Sequence, residues 1–369
     1  MNEMRILYIS RKYPPSVGGM QRMNYCLARE LSKKAKVEKN VWGHSQLFLP
    51  VFILKVLTSV FLRSVILRRE YDVICIGDAL LSPLAAALKN ILRSPVVCIA
   101  HGLDVTFNNR LYQNIVIPSL KKLDLVVCVS ENTKRECACR GIDEHKIICI
   151  PNGVEAKIEE EAGKDRFQCE LKKRGLTLSG DAKVLLTVGR LVRRKGVAEF
   201  INDIFSDLIK DEPNTVYLIA GEGNERHRIE RIIDKHSLNN SVYMLGYVGE
   251  DVMRSLYGCS DIFVMPNIRI DGDIEGFGIV ALEAAAHEIP IVAFDVDGIR
   301  NAIKDNENGF LIPPDKPDMF LKKLLYLYHD EDARVKMGDN GRRFAKELSW
   351  DKIADRYVNA MKDLIEKKK

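Results

Sequence analysis

Short apolar runs rich in β-branched residues alternate along this chain with longer amphipathic stretches. Ten such runs occur, namely MRILYIS, DVICIG, PVVCIA, DLVVCVS and KIICIP in the first half, then KVLLTVG, TVYLIAG, SVYMLG, DIFVMP and PIVAFD in the second. Strands that are apolar on both faces and separated by helices are typical of parallel sheets covered on both sides. The pattern therefore predicts an α/β protein with two Rossmann-like, doubly wound parallel sheets.

A polar stretch from Glu155 to Lys183, rich in Glu, Lys and Gly, separates the two sets of runs. A chain of 369 residues is long enough for two domains. We therefore predict an N-terminal domain of residues 1–155, a C-terminal domain of residues 156–347 and a terminal helix within residues 348–369. Two such domains facing each other would hold a ligand in the cleft between them, at the carboxyl ends of the strands.

The cysteines indicate a reducing compartment. The chain has nine, and four lie inside apolar, strand-like runs: Cys75, Cys98, Cys128 and Cys149. The C-x-C of Cys137 and Cys139 has no second pair, so we expect no zinc site there. The opening MNEMRILYIS enters a strand directly and lacks the cleavage region of a signal peptide, so we expect a cytoplasmic protein.

Positive charge is concentrated in the first half. Residues 1–155 hold 22 lysines and arginines against 13 aspartates and glutamates, whereas the remainder holds 34 against 38. A basic half indicates an anionic partner such as phosphates or acidic lipid, although solubility alone would also explain it. No basic motif is interleaved with aromatic residues, so nucleic acid is not expected as a partner.

The segment from Leu47 to Leu67 is almost wholly apolar and long enough to span a bilayer. Lys55, Ser59 and Arg63 recur every four residues, however, and predict an amphipathic helix with one polar stripe. Such a helix commonly packs on a sheet. The alternative, a helix lying on an anionic membrane surface, is favoured by the basic charge of this half.

One glutamate stands in the middle of an apolar helix. Residues 279–287 predict a helix with apolar residues on every side, and Glu283 is its only acid. Burying an unpartnered carboxylate costs several kcal/mol, because its hydration is lost. Glu283 is therefore a binding residue, or it faces a thin solvent seam or pairs with a structural arginine. Glu275 precedes the helix, where free N–H groups attract anions, but a simple helix-start acid would look the same.

Other candidate residues follow predicted strands. Gly18 and Gly19 open a helix after the first strand, where backbone N–H groups can approach a phosphate. His101 follows the third strand, at the edge where such sheets bind ligands. Arg190 and Lys195 follow the first strand of the second half and could hold a diphosphate. A solvated basic loop is the alternative, chiefly for the neighbouring Arg193 and Arg194.

Several familiar sites are absent from the sequence. There is no G-x-G-x-x-G and no Walker A pattern, which argues against a dinucleotide oxidoreductase or a P-loop nucleotide hydrolase. Asp271 and Asp273 have the D-x-D spacing that can hold Mg²⁺ or Mn²⁺, but no third carboxylate stands at ligand spacing. A solvated loop is favoured there, and we expect no metal requirement.

The motifs together resemble glycosyltransferase family four. They are Gly18-Gly19, HGLD at 101–104, PNGVE at 151–155, VGRLVRRKG at 188–196, AGEG at 220–223 and EGFGIVALE at 275–283. Members of that family are retaining, nucleotide-sugar-dependent enzymes with the GT-B fold, which consists of two Rossmann-like domains. The likeness covers nearly the entire chain, and GDIEGFGIV is closest in form to bacterial mannosyltransferases that build lipid-linked glycans.

The resemblance implies roles for individual residues. Glu283 would accept hydrogen bonds from the nucleotide ribose, and Glu275 would contact hydroxyls of the donor sugar. Arg190 and Lys195 would neutralise charge on the leaving diphosphate, and His101 would lie beside the transferring sugar. The remaining implied donor contacts are Gly18, Gly19, Gly223, the base-pocket residue Val248, and the backbone N–H groups near Phe277, Gly278 and Ile279.

In the front-face mechanism attributed to retaining members, the donor phosphate takes the acceptor proton, so no protein nucleophile is expected. The chain departs from the family pattern in two places. PNGVE has Glu155 where Asp is common, and little sequence separates the opening helix from Trp42, where relatives often have another strand. The last helix, Trp350 to Ile365, is expected to cross back to the first domain as in relatives.

The sequence therefore predicts a cytoplasmic hexosyltransferase that uses a GDP- or UDP-linked donor, with mannose from GDP-mannose as the first candidate. Its acceptor would be a lipid-linked or other anionic glycan in envelope or exopolysaccharide synthesis, with peripheral contact to an anionic membrane. Two alternatives remain open: transfer to a small soluble acceptor such as a sugar phosphate, and a catalytically silent partner that only binds the sugar nucleotide.

Overall fold

The computed structural model describes residues 3–66, 70–155 and 182–368. It divides into two compact units. Unit 1 comprises Met1–Gly153, Gly272–Phe277 and Leu348–Lys369, and unit 2 comprises Val154–Asp271 and Gly278–Glu347. Most of the polar stretch that we predict as a boundary, residues 156–181, lies outside the described part of the chain.

Each unit is built on one six-stranded parallel sheet, which confirms the predicted fold class. The strands of unit 1 are β1 Arg5–Ser10, β2 Lys36–Val41, β3 Val73–Ile76, β4 Val96–Ala100, β5 Leu125–Cys128 and β6 Ile147–Cys149, in the order β2-β1-β3-β4-β5-β6. Those of unit 2 are β7 Lys183–Val188, β8 Thr215–Ala220, β9 Val242–Gly246, β10 Ile262–Met265, β11 Ile291–Phe294 and β12 Gly309–Ile312, in the order β12-β11-β10-β7-β8-β9.

The helices connect and cover these strands. Those of unit 1 are α1 Gly19–Lys34, α2 Leu49–Val60, α3 Ser82–Leu92, α4 Leu103–Thr106, α5 Arg110–Lys121, α6 Glu131–Cys139 and, at the end of the chain, α14 Trp350–Glu366. Those of unit 2 are α7 Val197–Phe200, α8 Ser206–Asp211, α9 Arg226–Lys235, α10 Glu250–Gly258, α11 Ile279–Ala286, α12 Pro317–His329 and α13 Glu331–Glu347.

Two strands, β2 and β12, are not among the ten runs predicted from the sequence, and both lie at the edge of a sheet. The short segment before Trp42, where we expect no strand, forms β2 and pairs in parallel with β1 along its whole length. Four of the six residues in its sequence, KVEKNV, are polar, because an edge strand has one neighbour and meets solvent. A search for continuous apolar runs finds central strands of a parallel sheet and overlooks strands of this kind.

The strand orders define a switch point in each sheet. In unit 1 the chain moves outward from β1 in one direction to β2 and in the other to β3, and in unit 2 β7 lies between β8 and β10. Open α/β sheets bind ligands beside the carboxyl ends of the strands at such points. The loops that follow β1, β3, β7 and β10 are therefore where a site is expected in each unit.

The terminal helix α14 belongs to unit 1 and packs on α1. The ammonium group of Lys34, the last residue of α1, lies 2.8 Å from Asp351 and 2.7 Å from Asp355 on α14. Gly153 faces the first residue of α14, because a Cβ built on it would lie 2.5 Å from the ring of Trp350. The closing segment is thus anchored to the N-terminal sheet by ion pairs and by a close glycine–tryptophan contact.

The apolar segment from Leu47 forms α2, followed by one π-helical stretch, Phe61–Ile66. Its inner face packs into the core of unit 1 through Phe52, Val56 and Val60, in agreement with a helix lying on the first sheet. Lys55 and Thr58 of the predicted polar stripe are exposed, but the stripe does not cover the whole outer face. Several apolar side chains are exposed there, because one stripe occupies only part of a helix that is apolar on its remaining sides.

Candidate active site

Glu283 lies on α11, a helix that is buried from Ala281 to Ala286. Its side chain is only 8% exposed, which excludes a solvent-facing seam. The Tyr257 hydroxyl donates a hydrogen bond of 2.9 Å to Glu283 Oε2. Tyr257 also stacks on His287, with ring centroids 5.0 Å apart, and His287 Nδ1 lies 2.9 Å from the Glu283 carbonyl oxygen. The Tyr257 hydroxyl therefore helps to orient this carboxylate, a group whose two oxygens together can accept several hydrogen bonds.

The start of α11 depends on Gly278. This residue is the N-cap and has φ of 78°, a left-handed conformation that glycine adopts without strain. Phe277, just before it, is buried, and Ile279 begins the helix. Glu275 lies four residues ahead of the first helical residue. Glu275 therefore precedes the helix, as expected from the sequence, and the left-handed turn at Gly278 lies between the two.

The loop after β7 is fixed by close backbone approaches. Gly189 N–H donates to the Ala220 carbonyl at 3.0 Å, and Leu191 N–H donates to the Glu222 carbonyl at 2.9 Å. A Cβ on Gly221 would lie 1.8 Å from the Gly189 oxygen, and one on Gly223 would lie 2.1 Å from the Leu191 oxygen. The AGEG motif is thus required for packing of the β7 and β8 loops, independently of any ligand.

The four cations of the β7 loop occupy different environments. Arg190 and Arg193 are exposed, and Arg193 pairs with Glu199 at 3.1 Å. Lys195 is 8% exposed and Arg194 is 9% exposed. Treating Arg194 as a residue of a solvated loop is therefore wrong. The single turn Arg193–Lys195 ends at Gly196, with φ of 64°, and folds both side chains inward.

This turn lies against the strand next to β7. A Cβ on Gly196 would lie 1.9 Å from the carbonyl oxygen of Pro266, which directly follows β10. A Cβ on Gly189 would lie 3.4 Å from Lys195 Cε, so the lysine side chain runs beside the end of β7. A largely buried ammonium group thus stands at the switch point of the second sheet, where it can hold an anion.

In unit 1, His101 follows β4 and is half-buried. Its ring Nε2 lies 2.9 Å from the Gly77 carbonyl oxygen, which can only accept, so Nε2 carries the hydrogen. Its backbone N–H donates to Asp104 Oδ1 at 2.8 Å, while Asp104 Oδ2 accepts from Ala79 N–H at 3.0 Å. Asp104 therefore joins the loops after β3 and β4 and fixes the position of His101.

Two charged residues beside His101 were not predicted. Arg11 follows β1 and its Nε lies 2.9 Å from Oδ1 of Asp78, a fully buried residue after β3. Burial raises the pKa of the Asp78 carboxyl more than the Arg11 guanidinium lowers it. His101 is predicted because it is a polar residue at the carboxyl end of a strand. The same criterion applies to Arg11 and Asp78 once β1, β3 and β4 are known to be neighbours.

The loop Gly272–Phe277, which carries Glu275, belongs to unit 1 and packs on the loop of His101. A Cβ on Gly276 would lie 2.1 Å from the His101 carbonyl oxygen, and one on Gly102 would lie 3.2 Å from Gly276 Cα. His101 and the half-buried Glu275 are therefore brought into the same neighbourhood. Sequence spacing alone could not show this, since 174 positions separate them.

The predicted site residues are thus divided between the units. Unit 1 holds Gly18, Gly19, His101, Glu275 and Phe277, whereas unit 2 holds Arg190, Lys195, Gly223, Val248, Gly278, Ile279 and Glu283. Gly18 is the N-cap of α1 and Gly19 its first residue, as the sequence predicts. Val248 is buried just beyond β9, and its neighbour Tyr247 is 66% exposed.

Within residues 3–66, 70–155 and 182–368, no group of three or more His, Cys, Asp or Glu side chains could hold a metal ion. Asp271 is exposed and Asp273 half-buried. Five of the cysteines described by the structure are buried as free thiols: Cys26, Cys75, Cys98, Cys128 and Cys137. Across the same residues, no helix combines the length and apolarity needed to cross a membrane.

Comparison with known protein families gives two matches. Residues 17–157 match the model described as Glycosyltransferase Family 4, and residues 169–344 match that of Glycosyl transferases group 1. A glycosyltransferase of Methanocaldococcus jannaschii, described as uncharacterized, is 30% identical over 313 residues, which cover 80% of this chain and 76% of the relative.

A second relative is similar over nearly its whole length. The GDP-mannose-dependent monoacylated alpha-(1-6)-phosphatidylinositol monomannoside mannosyltransferase of Corynebacterium glutamicum is 26% identical and covers 97% of both chains. Among solved structures, that of Anabaena Alr3699/HepE in complex with UDP and glucose superposes with a TM-score of 0.77 at 17% identity, covering 98% of this chain and 100% of the other. This structural likeness establishes the fold.

Proposed function

Because the chain belongs to glycosyltransferase family 4, whose members are nucleotide-sugar-dependent retaining enzymes, we propose that it transfers a hexose from a nucleotide sugar to a lipid-linked or other anionic glycan. The observation that carries the donor side of this proposal is the buried Glu283 carboxylate, oriented by the Tyr257 hydroxyl at 2.9 Å. A carboxylate fixed in this way can accept hydrogen bonds from both hydroxyls of a ribose.

The cations of unit 2 would act on the diphosphate. Lys195 is largely buried, so its charge interacts with an anion more strongly than an exposed ammonium would. Arg190 is exposed and long enough to turn toward a bound ligand. As the bond between sugar and phosphate breaks, negative charge grows on the leaving diphosphate, and these two cations would stabilise it. In the proposed reaction they supply the charge that a metal ion supplies elsewhere.

The residues of unit 1 would act on the transferring sugar. His101 is held by Gly77 and Asp104, and Glu275 lies on the loop that packs against the His101 carbonyl. A carboxylate next to the sugar ring would stabilise the positive charge that the ring gains in the transition state. The acceptor hydroxyl would attack from the face that the diphosphate leaves, and the leaving phosphate would take its proton. No protein nucleophile is required in this scheme.

We propose mannose from GDP-mannose as the donor. The Corynebacterium glutamicum relative, which this chain matches over 97% of its length, is named as a GDP-mannose-dependent mannosyltransferase. That name refers to phosphatidylinositol, and so does the name of an Arabidopsis thaliana relative, which is one subunit of phosphatidylinositol N-acetylglucosaminyltransferase. These names support an acceptor attached to lipid, and we propose that the reaction takes place at the cytoplasmic face of a membrane.

A donor screen tests this proposal directly. Thermal unfolding would be measured with GDP-mannose, UDP-glucose, UDP-N-acetylglucosamine, GDP and UDP in turn. A ligand present at one hundred times its dissociation constant adds about 2.7 kcal/mol to the free energy of unfolding. GDP-mannose and GDP should stabilise the protein, and Glu283→Gln should reduce the shift. Glu331→Gln, a change of an 81% exposed glutamate on α13, should leave it unchanged.

Turnover separates the proposal from its alternatives. Release of GDP from GDP-mannose would be measured in the presence of lipid-linked glycan acceptors and, separately, of soluble sugar phosphates. Stabilisation without release of nucleoside diphosphate under any condition would identify a silent sugar-nucleotide-binding protein. Release only with soluble sugar phosphates would reject the lipid-linked acceptor, and stabilisation by UDP-sugars alone would reject GDP-mannose.

A further inference from the structure

An exposed apolar surface, which we call the α2 face, covers the outer side of α2 and the end of α3. Its members are Val51 (54% exposed), Leu54 (63%), Phe61 (58%), Leu62 (50%) and Ile91 (58%). Single exposed apolar residues are ordinary, but a contiguous group of large ones on a folded protein marks a binding surface.

The α2 face is not required to attach the helix to its own sheet. Phe52, Val56 and Val60 already do so, with at most 2% of each residue exposed. Val51 and Leu54 of the α2 face lie on other sides of α2, Phe61 and Leu62 lie on the π-helical stretch that follows it, and Ile91 lies on α3. Leu57 and Phe61 also line an apolar groove with Leu88 and Ile91 of α3, so the surface continues from one helix to the next.

The segments that carry the α2 face are basic, and two of their cations are paired with carboxylates of unit 1: Arg63 with Glu38 and Lys89 with Asp124. The segments Leu49–Ile66 and Ser82–Leu92 contain Lys55, Arg63 and Lys89 and no aspartate or glutamate. Lys55 is exposed on α2, and Arg93 is exposed directly after α3. Apolar side chains flanked by cations suit the boundary between acyl chains and anionic headgroups. A second copy of this chain suits the surface less well, because symmetric pairing would bring cations together.

We propose that the α2 face binds the surface of an anionic phospholipid membrane. Leu54, Phe61 and Leu62 insert among the lipids, while Lys55 and Arg93 contact the headgroups. This attachment is peripheral, since α2 packs on the core of unit 1 through its buried side. The inference goes beyond the proposed function and does not depend on it, because a membrane surface can be bound whether or not a sugar is transferred.

Vesicle co-sedimentation of the full chain tests the proposal. One set of vesicles contains phosphatidylcholine alone and the other contains equal parts of phosphatidylcholine and phosphatidylglycerol. We expect binding to the second set only, weakening as salt is raised. Leu54→Glu should weaken binding about tenfold or more, because a Leu side chain loses its transfer into lipid. Val335→Glu, at a 59% exposed site on α13, is the matched control and should bind normally.

A second pair of variants tests the contribution of charge. Lys55→Ala should weaken binding to anionic vesicles about fivefold, the effect of one cation near such a surface. Lys336→Ala, an exposed lysine of α13, should have no effect. The thermal shift produced by the nucleotide sugar is measured on every variant and should not change, which keeps membrane attachment distinct from donor binding.

Three results would overturn the proposal. The first is the absence of binding to anionic vesicles at low salt. The second is equal binding of the wild type to neutral vesicles or of Leu54→Glu to anionic ones. The third is a concentration-dependent dimer of the wild type that Leu54→Glu abolishes, which would assign the α2 face to contact between copies of this chain.

Discussion

The two glutamates of the EGFGIVALE motif differ in their surroundings. Glu283 is 8% exposed and bonded to Tyr257, whereas Glu275 is half-buried on the loop that packs against His101. A group that binds the ribose interacts equally in the ground and transition states, and a group beside the sugar matters most as charge develops. The same residue type therefore serves two different purposes in the proposed site.

Glu283→Gln should weaken binding of donor and of free nucleoside diphosphate alike, by about 1–3 kcal/mol, because a charged acceptor becomes a neutral amide. Glu275→Gln should lower turnover and leave nucleoside diphosphate affinity unchanged, because that ligand has no sugar. Titration calorimetry and single-turnover kinetics measure the two effects. Equal loss of nucleotide affinity in both variants with unchanged turnover would reject this division, and no change in either would make both residues structural.

Removing the Tyr257 hydroxyl is a second test of the proposed role of Glu283 in binding the nucleotide. Tyr257→Phe leaves the ring stacked on His287 and removes only the donor to Glu283 Oε2. Nucleoside diphosphate affinity should fall by about 1 kcal/mol, the value of one hydrogen bond, while turnover at saturating donor stays near that of the wild type. If Tyr257→Phe lowers nucleoside diphosphate affinity by the full amount expected of Glu283→Gln, about 1–3 kcal/mol, while Glu283→Gln lowers it not at all, the nucleotide is bound by the Tyr257 hydroxyl and not by Glu283.

At the scale of elements, the loop Gly272–Phe277 has a strict packing requirement. A side chain on Gly276 would overlap the His101 carbonyl oxygen, because a Cβ there lies only 2.1 Å away. We expect Gly276→Ala to displace Glu275 from His101 and to lower turnover at least about tenfold, since small misplacements of reacting groups are costly. Gly258→Ala, with no atom within 4 Å of the new Cβ, is the control for kinetics and for thermal unfolding. Unchanged turnover in Gly276→Ala would show that the loop can move without consequence.

Asp124 connects three elements of unit 1. Its carboxylate lies 2.9 Å from Lys89 of α3 and 2.7 Å from Lys368 beyond α14, and it accepts from Val96 N–H of β4 at 2.9 Å. Burial alone would raise the pKa of Asp124, but the hydrogen bonds from Lys368, Lys89 and Val96 outweigh burial and hold the pKa below 3.8. The charged form is therefore favoured in the folded state.

A pKa that is lower in the folded chain stabilises the fold above the unfolded value of 3.8, and this stabilisation is lost as the pH falls through the folded value. Asp124→Asn should lower stability by about 1–2 kcal/mol at neutral pH. The difference between the unfolding midpoints of the wild type and of Asp124→Asn should become smaller below about pH 4, where the Asp124 carboxylate is increasingly protonated. Asp363→Asn, an exposed site on α14, is the control. A difference that stays constant down to the lowest pH would show that the carboxylate charge contributes nothing.

At the scale of the whole molecule, the proposed chemistry predicts turnover without a metal ion. The buried ammonium of Lys195 and the guanidinium of Arg190 provide positive charge for the diphosphate. We expect turnover to persist in EDTA and Lys195→Met to lower it at least about a hundredfold. Lys336→Met is the matched control. Complete loss of turnover in EDTA, restored by Mn²⁺, would instead assign Asp271 and Asp273 as metal ligands.

Much of this protein follows from the chain alone. Ten of the twelve described strands, the helix after Gly278 and the burial of Glu283 are all readable, because a strand of a covered parallel sheet or a buried helix is apolar on every side. Gly18 and Gly19 at the start of α1 and His101 at the end of β4 follow from the same local rules. The family follows from several short motifs in their correct order.

Only the tertiary structure decides which of these residues meet. Strand β2 carries a weak pattern because it is an edge strand that meets solvent, and β12 is only four residues long and begins with a glycine. The pairing of Tyr257 with Glu283, of Arg11 with Asp78 and of Gly276 with His101 joins positions far apart in sequence, brought together by strand order. Whether an apolar side chain of α2 faces the core or solvent depends on how much of the helix the sheet can cover, a limit set by packing and not by the composition of the helix.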